Sequence, residues 1–351
     1  MTIHKVVQFL ESVAPPVYQE SYDNSGLLVG DPIDEVSGVI CCLDATERVV
    51  EEAIQKKCNL IIAHHPIVFK GIKRLNGSNY VERVLIRAIR HKIAIYAIHT
   101  NLDNMLYRGV NTRIAEQLKL RDCQILAPKK SVRKMAAYVP TEESDHIRNA
   151  LFTAGAGQFN HQQQVSFASL GVGTASGQGL GRVKLEMLFP MAIERTITGI
   201  LDSFAASHGI HYEISQVGNK AFDVGSGMIG NLAKPMKEKK FLKHLKEQMN
   251  VSCIRHTSLP GKEISSVAVC GGAGGFLLSH AIRQKADIFI TADYKYHEFF
   301  DADQQIIIAD IGHYESEQFT IQLLQELISQ KFRNFAAHCT EVNTNPVEYY
   351  F

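Results

Sequence analysis

The sequence predicts an α/β protein with largely parallel or mixed sheets, interrupted by a ferredoxin-like α+β insert. Three observations carry this expectation. From Gly38 onward a unit recurs in which a short apolar run rich in β-branched residues leads through a polar cluster into a helical pattern of about three turns. The same unit returns near the C-terminus, and such alternation builds sheets covered by helices. Between these stretches the pattern changes style, and 351 residues suffice for two domains with separate cores.

Taken in order, residues 1–16 open with an amphipathic helix whose apolar positions are Ile3, Val6, Val7, Leu10 and Val13. Strands follow at 39–43, ending at Asp44, at 60–63, ending at His64 and His65, and at 93–98, ending at residues 99–103. In the middle, a strand at 135–139 stops at Pro140, and a helix over 144–152 is closed by Gly155-Ala156-Gly157. Next come a Gln- and Gly-rich stretch at 162–181, a strand at 183–189, a helix at 193–206 and a strand at 211–216. This β-α-β-β-α-β-like order suits a ferredoxin-like domain, placing an insert at 128–222 within an outer domain made of 1–127 and 223–351. After Gly225-Ser226-Gly227, a helix at 236–249 resumes the earlier style. Strands at 267–270, 288–290 and 306–309 then run into Gly271-Gly272-Ala273-Gly274-Gly275, Thr291-Ala292-Asp293 and residues 310–313. Polar residues thus gather at carboxyl ends of strands, the edge where open α/β sheets bind ligands.

Composition narrows the function classes. With 37 basic against 36 acidic residues there is no global field favouring nucleic acid or an anionic membrane, so a small-molecule substrate or ligand is expected. The seven cysteines are odd in number, scattered and without a CxxC pair, which suits a reducing compartment better than a disulfide framework. The N-terminal helix has Glu11 within it rather than the unbroken apolar core of a signal peptide, and no run is apolar enough to span a bilayer. A cytoplasmic location is expected.

The candidate chemistry sits at three places. His64-His65-Pro66 follows a strand directly, and adjacent side chains leaving an extended segment diverge, so the two imidazoles can serve different ions. Zinc, iron, manganese or nickel suits such nitrogens; an isolated His pair is equally a hydrogen-bonded loop feature. His313 and Glu317, at i and i+4 of a helical pattern, share one face and can reach one centre, or form a plain surface pair. In His99-Thr100-Asn101-Leu102-Asp103, Asp103 offers a hard carboxylate and His99 or Asn101 can orient a ligand from behind; the same residues also read as a helix start. Coincidence raises the metal reading, because three clusters each follow strands expected to share one sheet. Three histidines and two carboxylates are too many for one tetrahedral catalytic ion and suit two, with Glu317 as a bridge. A hydroxide between two cations is then the expected nucleophile.

Other features carry less. The glycine run after residue 270 could admit a phosphate to backbone amides, although it lacks the residues of a P-loop and reads better as a tight turn. Lys70, Lys73 and Arg74 could meet an anionic substrate or be solvated surface charge. His297 is a candidate proton shuttle or orienting group, or a packed or solvent-facing histidine.

These segments resemble the Nif-three-like (NGG-one-interacting-factor-like) family, whose members are also called type 2 homologues of GTP cyclohydrolase I. The matching residues are Tyr22-Asp23-Asn24-Ser25-Gly26-Leu27-Leu28-Val29-Gly30, His64-His65-Pro66, His99-Thr100-Asn101-Leu102-Asp103, Thr291-Ala292-Asp293-Tyr294-Lys295-Tyr296-His297, Gly312-His313-Tyr314-Glu315-Ser316-Glu317 and Asn343-Thr344-Asn345-Pro346. The resemblance implies two divalent metal ions per chain at His64, His65, Asp103, His313 and Glu317, and ring-shaped homo-oligomers, typically hexamers, with the sites facing an inner cavity. It also implies that 128–222 is the PII/CutA-like insert of longer bacterial members. Tyr22 stands where Trp is usual and Met228 where Arg is usual. Two functions follow as expectations: a metal-dependent hydrolase, with GTP as the substrate the family name implies and a phosphoester or amide fitting equally well, or a regulatory or scaffold protein whose insert senses a ligand or partner.

Overall fold

The structure is a computed structural model and describes residues 1–158, 162–175, 178–220 and 223–350. The first third of the chain runs α1 (Ile3–Val13), β1 (Gly26–Val29), β2 (Gly38–Cys42), α2 (Glu47–Gln55), β3 (Leu60–Ala63), α3 (Tyr80–Arg90), β4 (Ala94–Ala97), α4 (Thr100–Asp103), α5 (Val110–Gln117) and β5 (Arg121–Pro128). The middle runs β6 (Val132–Pro140), α6 (Ser144–Thr153), β7 (Phe167–Ala175), β8 (Gln178–Pro190), α7 (Glu194–His208) and β9 (His211–Gln216). The last third runs β10 (Gly225–Lys237), α8 (Glu238–Gln248), β11 (Arg255–His256), β12 (Glu263–Ala273), α9 (Leu278–Arg283), β13 (Ile288–Ala292), β14 (Ile307–Asp310), α10 (His313–Glu317), α11 (Thr320–Lys331) and β15 (Ala336–Cys339). Local chemistry starts two of these helices: the Thr46 hydroxyl accepts the Val49 N–H and the Asn79 side chain accepts the Glu82 N–H, each satisfying a donor that the first turn leaves free.

Contacts divide the chain into two compact units, Met1–Ala127 with Gly225–Phe351, and Pro128–Val224. The boundary expected at residue 222 lies outside the described residues. The first unit contains a five-stranded sheet in the order β1-β4-β3-β2-β15 and a six-stranded sheet in the order β11-β14-β13-β12-β10-β5. Strands β15, β2, β3 and β4 run parallel, and β1 closes that sheet antiparallel. In the other sheet β12, β13 and β14 run parallel, flanked by antiparallel β10 and β11. The sheets are therefore mixed, and two rather than one carry the candidate clusters. The first parallel block joins β2, β3 and β4 to β15 from the far end of the sequence, and each block meets antiparallel strands at its edge, which a pattern of apolar runs does not display.

Alternation along the strands explains why the parallel runs are apolar throughout. Val39, Cys41, Leu60 and Ile62 from one sheet and Val267, Val269, Ile288 and Ile290 from the other share one core with α1, α5, α8 and α11. Their sequence neighbours turn to the opposite faces: Ile40, Cys42 and Ile61 pack beneath α2 and α3, while Ala268, Phe289 and Ile308 pack with α9. Both faces of each central strand are buried, so the strands stand rigidly and their carboxyl ends are fixed platforms.

The second unit has its own core, in which Met135, Leu185, Phe189, Ile197 and Leu201 are buried. Its sheet has the order β7-β8-β6-β9, every neighbouring pair antiparallel. Strand β7 falls inside the Gln- and Gly-rich stretch, of which residues 176 and 177 lie outside the described residues.

Candidate metal centre

Strand β3 ends at His64 and His65, and β4 leads through His99 into α4, whose last residue is Asp103. From the other sheet β14 leads through Gly312, at φ +92°, into α10, which carries His313 and Glu317 one turn apart. The five residues singled out from the sequence therefore converge from two sheets on one place.

Each imidazole is held from behind. His64 is buried and its Nδ1–H donates to the Ile98 carbonyl at 2.9 Å. The Nδ1–H groups of His65, His99 and His313 donate to Asp44, Asp23 and Asp293 at 2.8, 2.8 and 2.7 Å. This arrangement fixes the tautomer of each ring and turns its Nε2 inward, the disposition typical of imidazoles that coordinate metals. The three carboxylates hold candidate ligands in place, a role that sequence reasoning did not give them. Asp44 and Asp293 both follow strands of the same edges, so the strand-end rule that found the histidines also reaches them; Asp23 lies in an irregular loop and gave no such signal.

Three groupings bring potential ligand atoms within 4.8 Å of one another: His65, His313 and Glu317; His64, Asp103 and Glu317; and His64, His65 and His99. Glu317 belongs to the first two. Its Oε2 lies 2.9 Å from His65 Nε2 and 3.3 Å from His313 Nε2, while its Oε1 lies 3.8 Å from His64 Nε2. His64 Nε2 and Asp103 Oδ1 face each other at 3.5 Å, both buried and neither with a hydrogen-bond partner among the described residues. Burial pushes the His64 pKa down, which favours an unprotonated Nε2 aimed at the Asp103 carboxyl. Two buried polar atoms left facing each other without a hydrogen bond cost free energy, and a cation between them would satisfy both.

Charge in the cluster has the same character. Burial and the neighbouring Glu317 charge push Asp103 well above the usual carboxylate range. Burial opposes the charge on Glu317, but the His313, His64 and His65 imidazoles outweigh it and hold the pKa well below the ordinary value. For His65, burial disfavours the proton, yet Asp44 and Glu317 outweigh it and raise the pKa to about 10; for His313, Glu317 and Asp293 act likewise and raise it to about 9. Protons occupy positions that a cation would take from them.

The glycine run makes the cluster possible in a different way from a phosphate cradle. Gly271 N–H donates to Asn111, Gly272 N–H to the Ser316 hydroxyl and Gly274 N–H to the Thr291 hydroxyl, so these amides are engaged. A Cβ on Gly272, at φ +61°, would stand 2.6 Å from Glu317 Oε1 and 3.1 Å from the His313 ring. The run lets β12 pass close beneath α10.

His99 and His297, the other two candidate histidines, are placed differently. The His99 ring packs edge-on beside the cluster, its centroid 5.3 Å from that of His64 and 5.4 Å from that of His65. His297 is not brought to the cluster. It lies exposed on the turn Tyr296–Ala302, its ring against Tyr296 and Phe300, because the backbone turns at Asp293, φ +60°, and buries Tyr294 instead. The cluster forms the floor of a cavity of about 1830 Å³, larger than the usual small-molecule pocket.

Fold and site together define an α/β protein whose larger unit has two sheets, with a largely buried histidine and carboxylate cluster that could hold cations at facing strand ends. The chain belongs to the Duf34/NIF3 (NGG1p interacting factor 3) family, whose sequence model matches residues 1–346. It is 30% identical to the GTP cyclohydrolase 1 type 2 homolog of Bacillus subtilis, covering 97% of both chains, and 32% identical to that of Halalkalibacterium halodurans, again over 97% of both. A crystal structure of a Bacillus cereus protein related to NIF3 superposes with a TM-score of 0.83 at 31% identity, covering 100% of this chain and 99% of that one.

Proposed function

We propose that the chain holds two divalent cations, one in the set His65, His313 and Glu317 and one in the set His64, Asp103 and Glu317, and that it is a metal-dependent hydrolase. The observation that carries this is the pair of facing, buried atoms without a hydrogen-bond partner among the described residues, His64 Nε2 and Asp103 Oδ1, beside a carboxylate common to both sets. When bound, such a pair of cations supplies Lewis-acid charge and lowers the pKa of a water held between them. The chain's own part is to orient the ligands through Asp44, Asp293 and the Ile98 carbonyl and to present the centre at the floor of a wide cavity. A small anionic substrate suits that cavity: Lys70, Lys73 and Arg74 line it, residues 66–79 contain no acidic side chain, and these three cations have no ion-pair partner among the described residues. A nucleotide is the first substrate class to test, since the relatives' name puts GTP first; a phosphoester or an amide fits the same chemistry.

A second reading rests on the strand order β7-β8-β6-β9, that of a split β-α-β arrangement. On that reading residues 128–222 are a ferredoxin-like, PII/CutA-like insert that senses a ligand or partner, and the cations are structural. The family resemblance supports a homo-oligomer, a hexameric ring, for either reading. All seven cysteines are free, in keeping with a reducing, cytoplasmic setting, and no helix among the described residues is long and apolar enough to cross a membrane. Incubating metal-loaded protein with GTP, a phosphomonoester and a simple amide separates the readings. Hydrolysis that disappears on chelation and in Asp103→Asn is the expected result. No turnover of any of the three, with both sites filled and a fold that melts on chelation, leaves the regulatory reading standing.

A further inference from the structure

After β15 the chain continues without helix or strand, yet it is tied down at every few residues. Thr340 N–H donates to the Cys41 carbonyl at 2.9 Å, the Thr340 hydroxyl donates to Glu52, and Glu341 N–H donates to Glu52 Oε1 at 2.9 Å. Asn343 and Asn345 then hold two successive turns by accepting the N–H groups of Asn345 and Val347 at 2.9 and 3.0 Å. Between these turns two side chains reach the cluster. The Thr344 hydroxyl donates to Asp44 Oδ2 at 2.8 Å, and the other oxygen of that carboxylate accepts the Nδ1–H of His65 at 2.8 Å. The Asn345 amide donates to Glu315 Oε1 at 3.0 Å, and Glu315 is a buried residue of α10 between His313 and Glu317.

The two anchors lie on different sheets. Asp44 follows β2 of the five-stranded sheet, and α10 follows β14 of the six-stranded one. A single stretch of chain therefore spans the two halves that supply His65 on one side and His313 with Glu317 on the other. A carboxylate that receives only one hydrogen bond can rotate and carry the imidazole with it. Fixing the second oxygen removes that freedom, and partners of this kind are typically worth about 10–100-fold in metal affinity.

We infer that Thr344 and Asn345 are positioning residues of the metal centre, Thr344 locking Asp44 and through it His65, and Asn345 locking α10. The inference rests on the proposed two-cation reading and adds a graded consequence. Thr344 reaches, through Asp44, His65, which belongs to one set alone, whereas Asn345 reaches α10, whose Glu317 belongs to both. His64, of the other set, is held instead by the Ile98 carbonyl. Loss of the Thr344 contact should weaken one ion of the pair, and loss of the Asn345 contact both.

Calorimetric titration of metal-free full-length protein with zinc, repeated with cobalt to read the ligand-field absorption, tests this with wild type, Thr344→Val, Thr344→Ser and Asn345→Ala. The expected result is one class of site weakened about 10-fold or more in Thr344→Val with the other class unchanged, both classes weakened in Asn345→Ala, and recovery in Thr344→Ser, which keeps the hydroxyl. The melting temperature of the metal-free variants reports the fold separately and should match wild type. Wild-type affinity at both classes in Thr344→Val overturns the inference. So does equal weakening of both classes in Thr344→Val, or failure of serine to restore binding. A wild type that takes up no metal fails earlier, sinking the two-cation reading itself, and so is told apart from these outcomes.

Discussion

Glu317 sits where three imidazoles and a second carboxylate meet, and its neighbours are chosen for closeness. Gly272 is one of them. Alanine there would be strained by the positive φ and would place its methyl group 2.6 Å from Glu317 Oε1, so Gly272→Ala should cost about 1–3 kcal/mol in thermal unfolding and weaken metal uptake as well. A variant that melts and binds as wild type would show that α10 can retreat without loss. A second expectation concerns protons. Because His65 and His313 hold theirs with pKa values raised to about 10 and about 9, a cation must displace them near neutrality, and apparent metal affinity should strengthen as pH rises from 6 to 8. Isothermal titration at the two pH values in buffers of different ionisation enthalpy reads both the affinity and the protons released; affinity independent of pH would contradict the assignment. At this scale the sequence was informative where a residue type is rare and placed at a strand end, as with His64, His65 and His313. It placed Asp44 and Asp293 at strand ends but gave them no role, because a carboxylate there has many ordinary uses, and only the 2.8 and 2.7 Å hydrogen bonds to imidazole single these out.

The elements that present the site were legible when burial imposes a period. Strands β2, β3, β13 and β14 are buried at every position and stand out as apolar runs, and α1 shows its buried face through Ile3, Val6, Val7 and Leu10. Strand β7 did not stand out, because it is an edge strand whose Phe167, Leu170 and Val172 are exposed and whose neighbours are small. Strand β10 was hidden for another reason: its glycines at 225, 227 and 230 resemble a turn, whereas Gly230 is there because a Cβ would meet Cys123 Sγ at 2.7 Å. Glu52 on α2 shows how such elements are joined. Burial opposes its charge, but hydrogen bonds from Lys56, Thr340 and the Glu341 N–H outweigh this and lower its pKa. A depressed folded-state pKa contributes stability above the unfolded value, roughly 4.3, and that contribution is lost as pH falls through the folded value. Glu52→Gln should therefore be less stable than wild type by about 1–2 kcal/mol in urea at pH 7, with the gap closing towards pH 3. A gap that persists unchanged in acid would assign the loss to packing.

Among the described residues the molecule has four buried clusters, three in the outer unit and one in Pro128–Val224. The central cluster of the outer unit binds two mixed sheets so that their carboxyl edges meet at a single site. The change of style along the chain led to the expectation of an insert, but not to that of two sheets in the outer unit, since the pairing of β15 with β2 and of β11 with β14 joins segments far apart in sequence. Two sheets matter to the proposed centre, because candidate ligands contributed from both sides surround Glu317 where a single edge would leave it exposed. The central claim, that two cations share Glu317, is tested most directly by elemental analysis of the full-length protein after equilibrium dialysis against a divalent metal, alongside Glu317→Gln. The account predicts about two ions per chain in wild type and fewer than about one in the variant, because removing the shared carboxylate charge damages both sets together. Full retention of metal by Glu317→Gln, or no uptake by wild type at any pH between 6 and 8, would contradict it.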